Sequence, residues 1–117
     1  MALSGLHDIT QRALEQLSSD ARRAGVSFRV TSGYRSIAHQ RLLYARRAAG
    51  LQRYPVAKPG TSTHNYGLAF DAVSDRQSDL IQLATRLGLV WAGPKDPVHF
   101  QIVDQATWSS LLRGAGL

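Results

Sequence analysis

The sequence predicts one α+β domain, with a small, mainly antiparallel sheet and flanking helices. Segments with apolar residues every three or four positions alternate with short period-two segments, without the βαβ rhythm that builds a parallel sheet. The 117 residues suffice for one core and leave no room for a second, so residues 1–117 are read as a single domain. A composition of 44% hydrophobic and 19% charged residues sets aside disorder, collagen and coiled coil.

Ile9 to Ala24 places Ile9, Ala13, Leu14, Leu17, Ala21 and Ala24 at helical spacing. Asp8 is the expected N-cap, with Gln11 three residues on, and Gly25 the expected stop. Val26 to Ser32 alternates as a half-buried strand does, with Val26, Phe28 and Val30 on one face. Ser36 caps a second helix that reaches Ala49 before Gly50. Leu51 to Tyr66 holds Pro55, Pro59, Gly60 and three hydroxyl residues, and reads as one long binding loop or lid. A strand follows over Gly67 to Val73, a capped helix over Ser74 to Leu87 ended by Gly88, and a short strand over Leu89 to Trp91. After the turn-rich Ala92 to Pro97, Val98 to Val103 alternates again, and Asp104 caps a last helix to about Leu112.

The absence of cysteine removes disulfides, thiolate metal sites and cysteine nucleophiles together. Fourteen Lys plus Arg stand against eight Asp plus Glu, a net charge of +6. That balance suits an anionic partner: nucleic acid, an acidic membrane face or an acidic wall polymer. No aromatic-basic interleaving or recognition motif supports nucleic acid. No apolar run approaches the ~20 residues of a membrane span. Met1 to Gly5 shows no basic region followed by an apolar core. The expectation is a monomer made in the cytoplasm and acting outside it after release.

Of the four histidines, His7 and His39 lie on polar stretches at helix starts and read as solvated surface residues. His64 and His99 differ. His64 ends the long loop, and Asp71 follows in a strand whose Gly67, Ala69, Asp71 and Val73 share a face. His99 shares its face with Gln101, while Val98, Phe100 and Ile102 point inward. Two imidazoles and a carboxylate with an open fourth position are the ligand set of catalytic zinc. Spacing alone also allows unrelated polar residues and a capping aspartate. A non-haem iron triad needs a histidine two residues from the carboxylate, and that spacing is absent.

Ser62-Thr63-His64-Asn65-Tyr66-Gly67-Leu68-Ala69-Phe70-Asp71 matches the S-x-H-x-x-G-x-A-x-D signature. Asp96 stands three positions before His99, and Thr31-Ser32-Gly33-Tyr34-Arg35-Ser36 precedes both. In this order the three segments resemble the zinc peptidases named after lysostaphin, D-alanyl-D-alanine peptidase and sonic hedgehog. The resemblance implies an antiparallel sheet and hydrolysis of peptidoglycan stem peptides. Its nearest branches are D-Ala-D-Ala carboxypeptidases and phage endolysins that cut between L-Ala and D-Glu. The dipeptidase branch carries glutamate where this chain has Asp96, which points away from that branch. The endolysin-type endopeptidase is the expectation, with the carboxypeptidase and a non-catalytic, hedgehog-like binding module as rivals.

Carried over residue by residue, the resemblance implies that His64, Asp71 and His99 hold one Zn²⁺ that activates water and polarises the scissile carbonyl. Glu15, the only glutamate, lies in the first helix, so the base is expected to be an aspartate, with Asp96 best placed. Arg35 is expected to stabilise the oxyanion or pair with a substrate carboxylate. Ser62, Tyr66 and Trp91 are candidate substrate contacts. The pairs Arg22-Arg23 and Arg46-Arg47 suit helix C-termini, with attraction to an anionic wall or outer membrane as a second reading.

Overall fold

The computed structural model describes residues 4–52 and 55–117. In chain order it contains α1 (Asp8–Ala24), β1 (Arg29–Ser32), α2 (Ile37–Ala48), a 3-10 turn (Thr63–Tyr66), β2 (Ala69–Val73), α3 (Gln77–Arg86), β3 (Val90–Trp91), β4 (His99–Gln101) and α4 (Gln105–Gly114). The strands form one sheet in the order β1-β2-β4-β3, with every neighbouring pair antiparallel. The α+β architecture is the expected one. Among the described residues no helix is long and apolar enough to cross a membrane.

The core lies on one sheet face. Leu14, Leu17 and Ala21 of α1 and Leu80 and Ala84 of α3 pack there against Phe70, Ala72 and Phe100. Phe70 and Phe100 are register partners and stack with centroids 5.7 Å apart. Strand alternation then sends the next pair to the opposite face: Asp71 and His99, also direct register partners. The core thus fixes two of the predicted ligands side by side.

Element ends move where backbone groups find other partners. His7, not Asp8, caps α1, its Nδ1 accepting from the Ile9 N–H at 3.2 Å. The His7 N–H is itself held by the Gly67 carbonyl at 3.0 Å, which keeps residue 7 outside the helix. β1 starts at Arg29 rather than Val26, because the Val26 N–H closes the end of α1 onto the Ala21 carbonyl at 2.8 Å. Ser74 to Arg76 form a turn before α3 rather than its first residues: Ser74 Oγ accepts from the Arg76 N–H and donates to the Ser27 carbonyl. The predicted loop 51–66 ends in the 3-10 turn, and its residues 53 and 54 lie outside the described residues. The caps at Ser36 and Asp104 and the stop at Gly25 stand as expected.

Gly67 carries the turn into β2. Its φ is +71°, and a Cβ there would stand 2.5 Å from the Gly5 carbonyl oxygen and 2.7 Å from the His7 nitrogen. Left-handed backbone alone costs a side-chain-bearing residue about 1–2 kcal/mol, and the clash adds to it. Gly67→Ala should therefore lower the melting temperature by at least roughly 5 °C. A wild-type thermal transition would contradict this packing.

Candidate metal centre

The 3-10 turn presents His64. Ser62 caps it, with Oγ accepting from the His64 N–H at 3.2 Å. Asn65 Oδ1 accepts from the Gly60 and Ser62 N–H groups, and its Nδ2 donates to the Arg35 carbonyl at 2.8 Å. The Arg35 N–H returns a bond to the His64 carbonyl at 2.9 Å. These bonds stitch the turn to the β1–α2 connection and leave His64 only 2% exposed.

Three side-chain atoms meet above the sheet. His64 Nε2 lies 3.1 Å from Asp71 Oδ1 and 3.2 Å from His99 Nδ1, and His99 Nδ1 lies 3.3 Å from Asp71 Oδ1. The outer ring nitrogens identify the tautomers. His64 Nδ1 is 2.7 Å from the Gly33 carbonyl, which only accepts, so Nδ1 carries the hydrogen and Nε2 a lone pair. His99 Nε2 is 2.8 Å from Gln101 Oε1, which likewise places its hydrogen outward. With neutral rings, three lone pairs converge with no hydrogen between them. Bonds of about 2.0–2.1 Å to a tetrahedral metal imply ligand-to-ligand edges of about 3.3–3.4 Å. The triangle fits such an ion, with the remaining position open to the cleft.

Burial opposes ionisation of Asp71, yet in the metal-free centre, when the imidazoles carry a proton inward, hydrogen bonds from His64 and His99 outweigh it and hold the carboxyl well below the usual carboxylate range. Burial also lowers the His99 pKa, but the facing Asp71 carboxylate raises it overall. A cation bound at the triangle takes that proton's place, so binding releases it. Arg35 Nη2 donates to Asp71 Oδ2 at 3.3 Å and to Ser32 Oγ at 3.1 Å, while Nη1 donates to Gln40 Oε1 at 3.0 Å. The expected oxyanion group is thus engaged first with Asp71, turning its other oxygen toward the triangle.

The centre opens into a cleft of about 470 Å³ whose lining includes Arg35, Gln40, Ser62, Lys95, Asp96 and Gln105. Asp96 sits in a tight turn, with its N–H on the Gly93 carbonyl and its own carbonyl on the His99 N–H, both at 3.1 Å. Burial foremost, and then the charge of Asp71, raise its pKa against the opposing pull of His99, His64 and Arg35. A carboxylate with a raised pKa that lines the same cleft is suited to accepting a proton.

Two expected substrate contacts lie elsewhere. The Tyr66 hydroxyl donates to the Gly60 carbonyl at 2.8 Å, and its ring meets Trp108 edge-on at 5.4 Å. Tyr66 lines a separate apolar cavity of about 210 Å³ with Leu68 and Leu111, because the 3-10 turn carries it away from the cleft. Trp91 Nε1 donates to the Pro97 carbonyl at 2.9 Å, so Trp91 buttresses the Asp96 turn from behind. Ser62 lines the cleft, but its hydroxyl serves as the cap. His7 and His39 are exposed, as expected. Sequence reasoning missed Gln40 and Lys95, which carry no motif signal, and placed Gln101 beside His99 without a role.

The sequence model of the VanY family, D-alanyl-D-alanine carboxypeptidase, matches residues 4–102, which include every residue of the centre. The chain belongs to this family. The VanY-family chain is 26% identical, over 127 aligned positions, to the peptidoglycan L-alanyl-D-glutamate endopeptidase CwlK of Bacillus subtilis, covering 86% of this chain and 75% of that protein. Its fold superposes on a mutant of the vancomycin resistance D,D-pentapeptidase VanY in complex with Zn(II), with TM-score 0.70, 24% identity, and coverage of 100% of this chain and 84% of that one. The L-Ala D-Glu endopeptidase ChiX of Serratia marcescens superposes with TM-score 0.62 and 22% identity, over 97% of this chain and 86% of that one.

Proposed function

We propose that this chain is a zinc peptidase of peptidoglycan stem peptides, cutting the bond between L-Ala and D-Glu in the manner of an endolysin. The observation that carries this is the triangle of His64, Asp71 and His99 lone pairs, in a cleft that Asp96 also lines. Bound there, zinc would supply a Lewis acid for the scissile carbonyl and a more acidic water. The chain's residues do the rest. The Asp96 carboxylate takes a proton from the attacking water and delivers it to the departing amine nitrogen. Arg35 holds Asp71 in place, and its charge together with Lys95 makes the cleft favourable for a stem-peptide carboxylate.

The CwlK relative favours the endopeptidase. The VanY family match favours a second reading, removal of a terminal D-Ala by the same machinery. Membership in a peptidase family sets aside a purely metal-holding binding module. Digestion of purified peptidoglycan, with new termini identified by mass spectrometry, separates the two reactions. New D-Glu amines mark the endopeptidase, released D-Ala marks the carboxypeptidase, and an unchanged polymer contradicts both.

Residues 21–70 contain nine Lys plus Arg and no Asp or Glu. The stretch includes α2, whose only buried side chain is Gln40, and the loop that follows it beside the cleft. Arg41, Arg46 and Arg47 of α2 and Lys58 of the loop are exposed, and this cationic flank suits attraction to an anionic wall or outer-membrane surface. Exposed charges are screened beyond about 8 Å at physiological salt. Added salt should therefore slow cleavage of whole walls more than cleavage of a small soluble muropeptide. Equal slowing would exclude this contribution.

A further inference from the structure

We propose that Gln101 is the positioning residue that fixes the tautomer of His99 and so sets the affinity of the centre for its metal. The inference rests on the metal reading above and adds to it a residue outside the ligand set. Neutral imidazole carries its hydrogen on either nitrogen. Only the form with the hydrogen on Nε2 leaves the Nδ1 of His99 free to point a lone pair into the triangle. The other form would drive a hydrogen between His64 Nε2 and Asp71 Oδ1, where the metal belongs.

The amide of Gln101 has two faces, and its surroundings select between them. Its Nε2 lies 2.6 Å from the Val103 carbonyl, which can only accept, so the NH₂ group is committed there. Oε1 is then left for His99 Nε2 at 2.8 Å and for the Thr63 hydroxyl, which donates to it at 3.2 Å. Gln101 is 5% exposed, so bulk water does not stand in for these partners. Thr63 directly precedes His64 in the 3-10 turn. One buried amide therefore ties the strand carrying His99 to the turn carrying His64, and does so with an acceptor facing the imidazole N–H. Losing such a supporting partner typically weakens metal binding about 10–100-fold.

The test compares Zn²⁺ affinities of Gln101→Leu and Gln101→Glu with wild type, by competition against a chromophoric chelator, alongside thermal unfolding of the metal-free proteins. Gln101→Leu keeps the size but removes the acceptor; its Zn²⁺ affinity should fall about 10–100-fold. Gln101→Glu keeps an acceptor toward His99 and gives up only the donor to Val103; it should bind Zn²⁺ within tenfold of wild type or more tightly. A role confined to packing reverses the order, since leucine suits a buried site and an added carboxylate does not. Wild-type affinity in Gln101→Leu, or equal weakening in both variants, overturns the proposal. Should Gln101→Leu not fold, Gln101→Glu and the ¹⁵N spectrum of zinc-loaded wild type decide it. The hydrogen of His99 must appear on Nε2, and finding it on Nδ1 overturns the assignment. A wild-type protein that binds no Zn²⁺ refutes the metal reading itself, a result distinct from unequal or equal affinities among the variants.

Discussion

Asp96→Asn should lower turnover by roughly 10²–10⁴-fold, the usual contribution of a positioned acid–base group, or about 3–5 kcal/mol of barrier. Metal content should not change, because His64, Asp71 and His99 are untouched. Asparagine keeps the size of the side chain and forms turns as readily as aspartate. A residue needed only for the Gly93–Asp96 turn would therefore tolerate it, and kinetics separate the two roles by orders of magnitude. The pH profile adds a second reading of the same group. In the metal-free protein burial and the nearby Asp71 raise the Asp96 pKa above the ordinary ~3.9, and a bound cation pulls it back down. The acid limb of kcat/KM should carry the Asp96 titration in wild type and lose it in the variant, where only protonation of the metal ligands remains. Wild-type turnover in metal-loaded Asp96→Asn would leave the reaction without this base.

His99→Ala should cost more than any supporting substitution. It removes one of three converging lone pairs, so metal affinity should fall beyond the ~10–100-fold expected when a supporting hydrogen bond is lost. At limiting metal, activity should be undetectable. The His99 side chain lies on the cleft side of the sheet, opposite the Phe70–Phe100 stack, so the core survives its truncation. Folding should accordingly persist, by circular dichroism, while bound metal disappears. A His99→Ala protein that retains full metal and full activity would remove this residue from the centre.

The site was more legible in the sequence than the element ends. Alternation around Phe70 and Phe100 is enough to put Asp71 and His99 on one face, and antiparallel pairing makes them neighbours. The motif containing His64 points to the third candidate ligand, because its Ser62, Asn65 and Gly67 build the turn that presents it. What escaped depends on contacts between distant residues. His7 rather than Asp8 caps α1 because of a carbonyl sixty residues away, at Gly67. Tyr66 faces an apolar cavity because residues 63–66 form a 3-10 turn, whereas a plain loop carries no periodicity from which to read direction. Arg35 lines the cleft, and its bonds to Asp71, Ser32 and Gln40 cannot be read from its position after β1.

Metal removal and restoration tests the central claim most directly. The protein is stripped with a chelator, Zn²⁺ is returned in measured equivalents, and peptide release from purified peptidoglycan is followed at each step. The stripped protein should be inactive, and activity should rise linearly to a break at one Zn²⁺ per chain. Undiminished peptide release by protein shown to contain no metal would contradict a centre built on His64, Asp71 and His99.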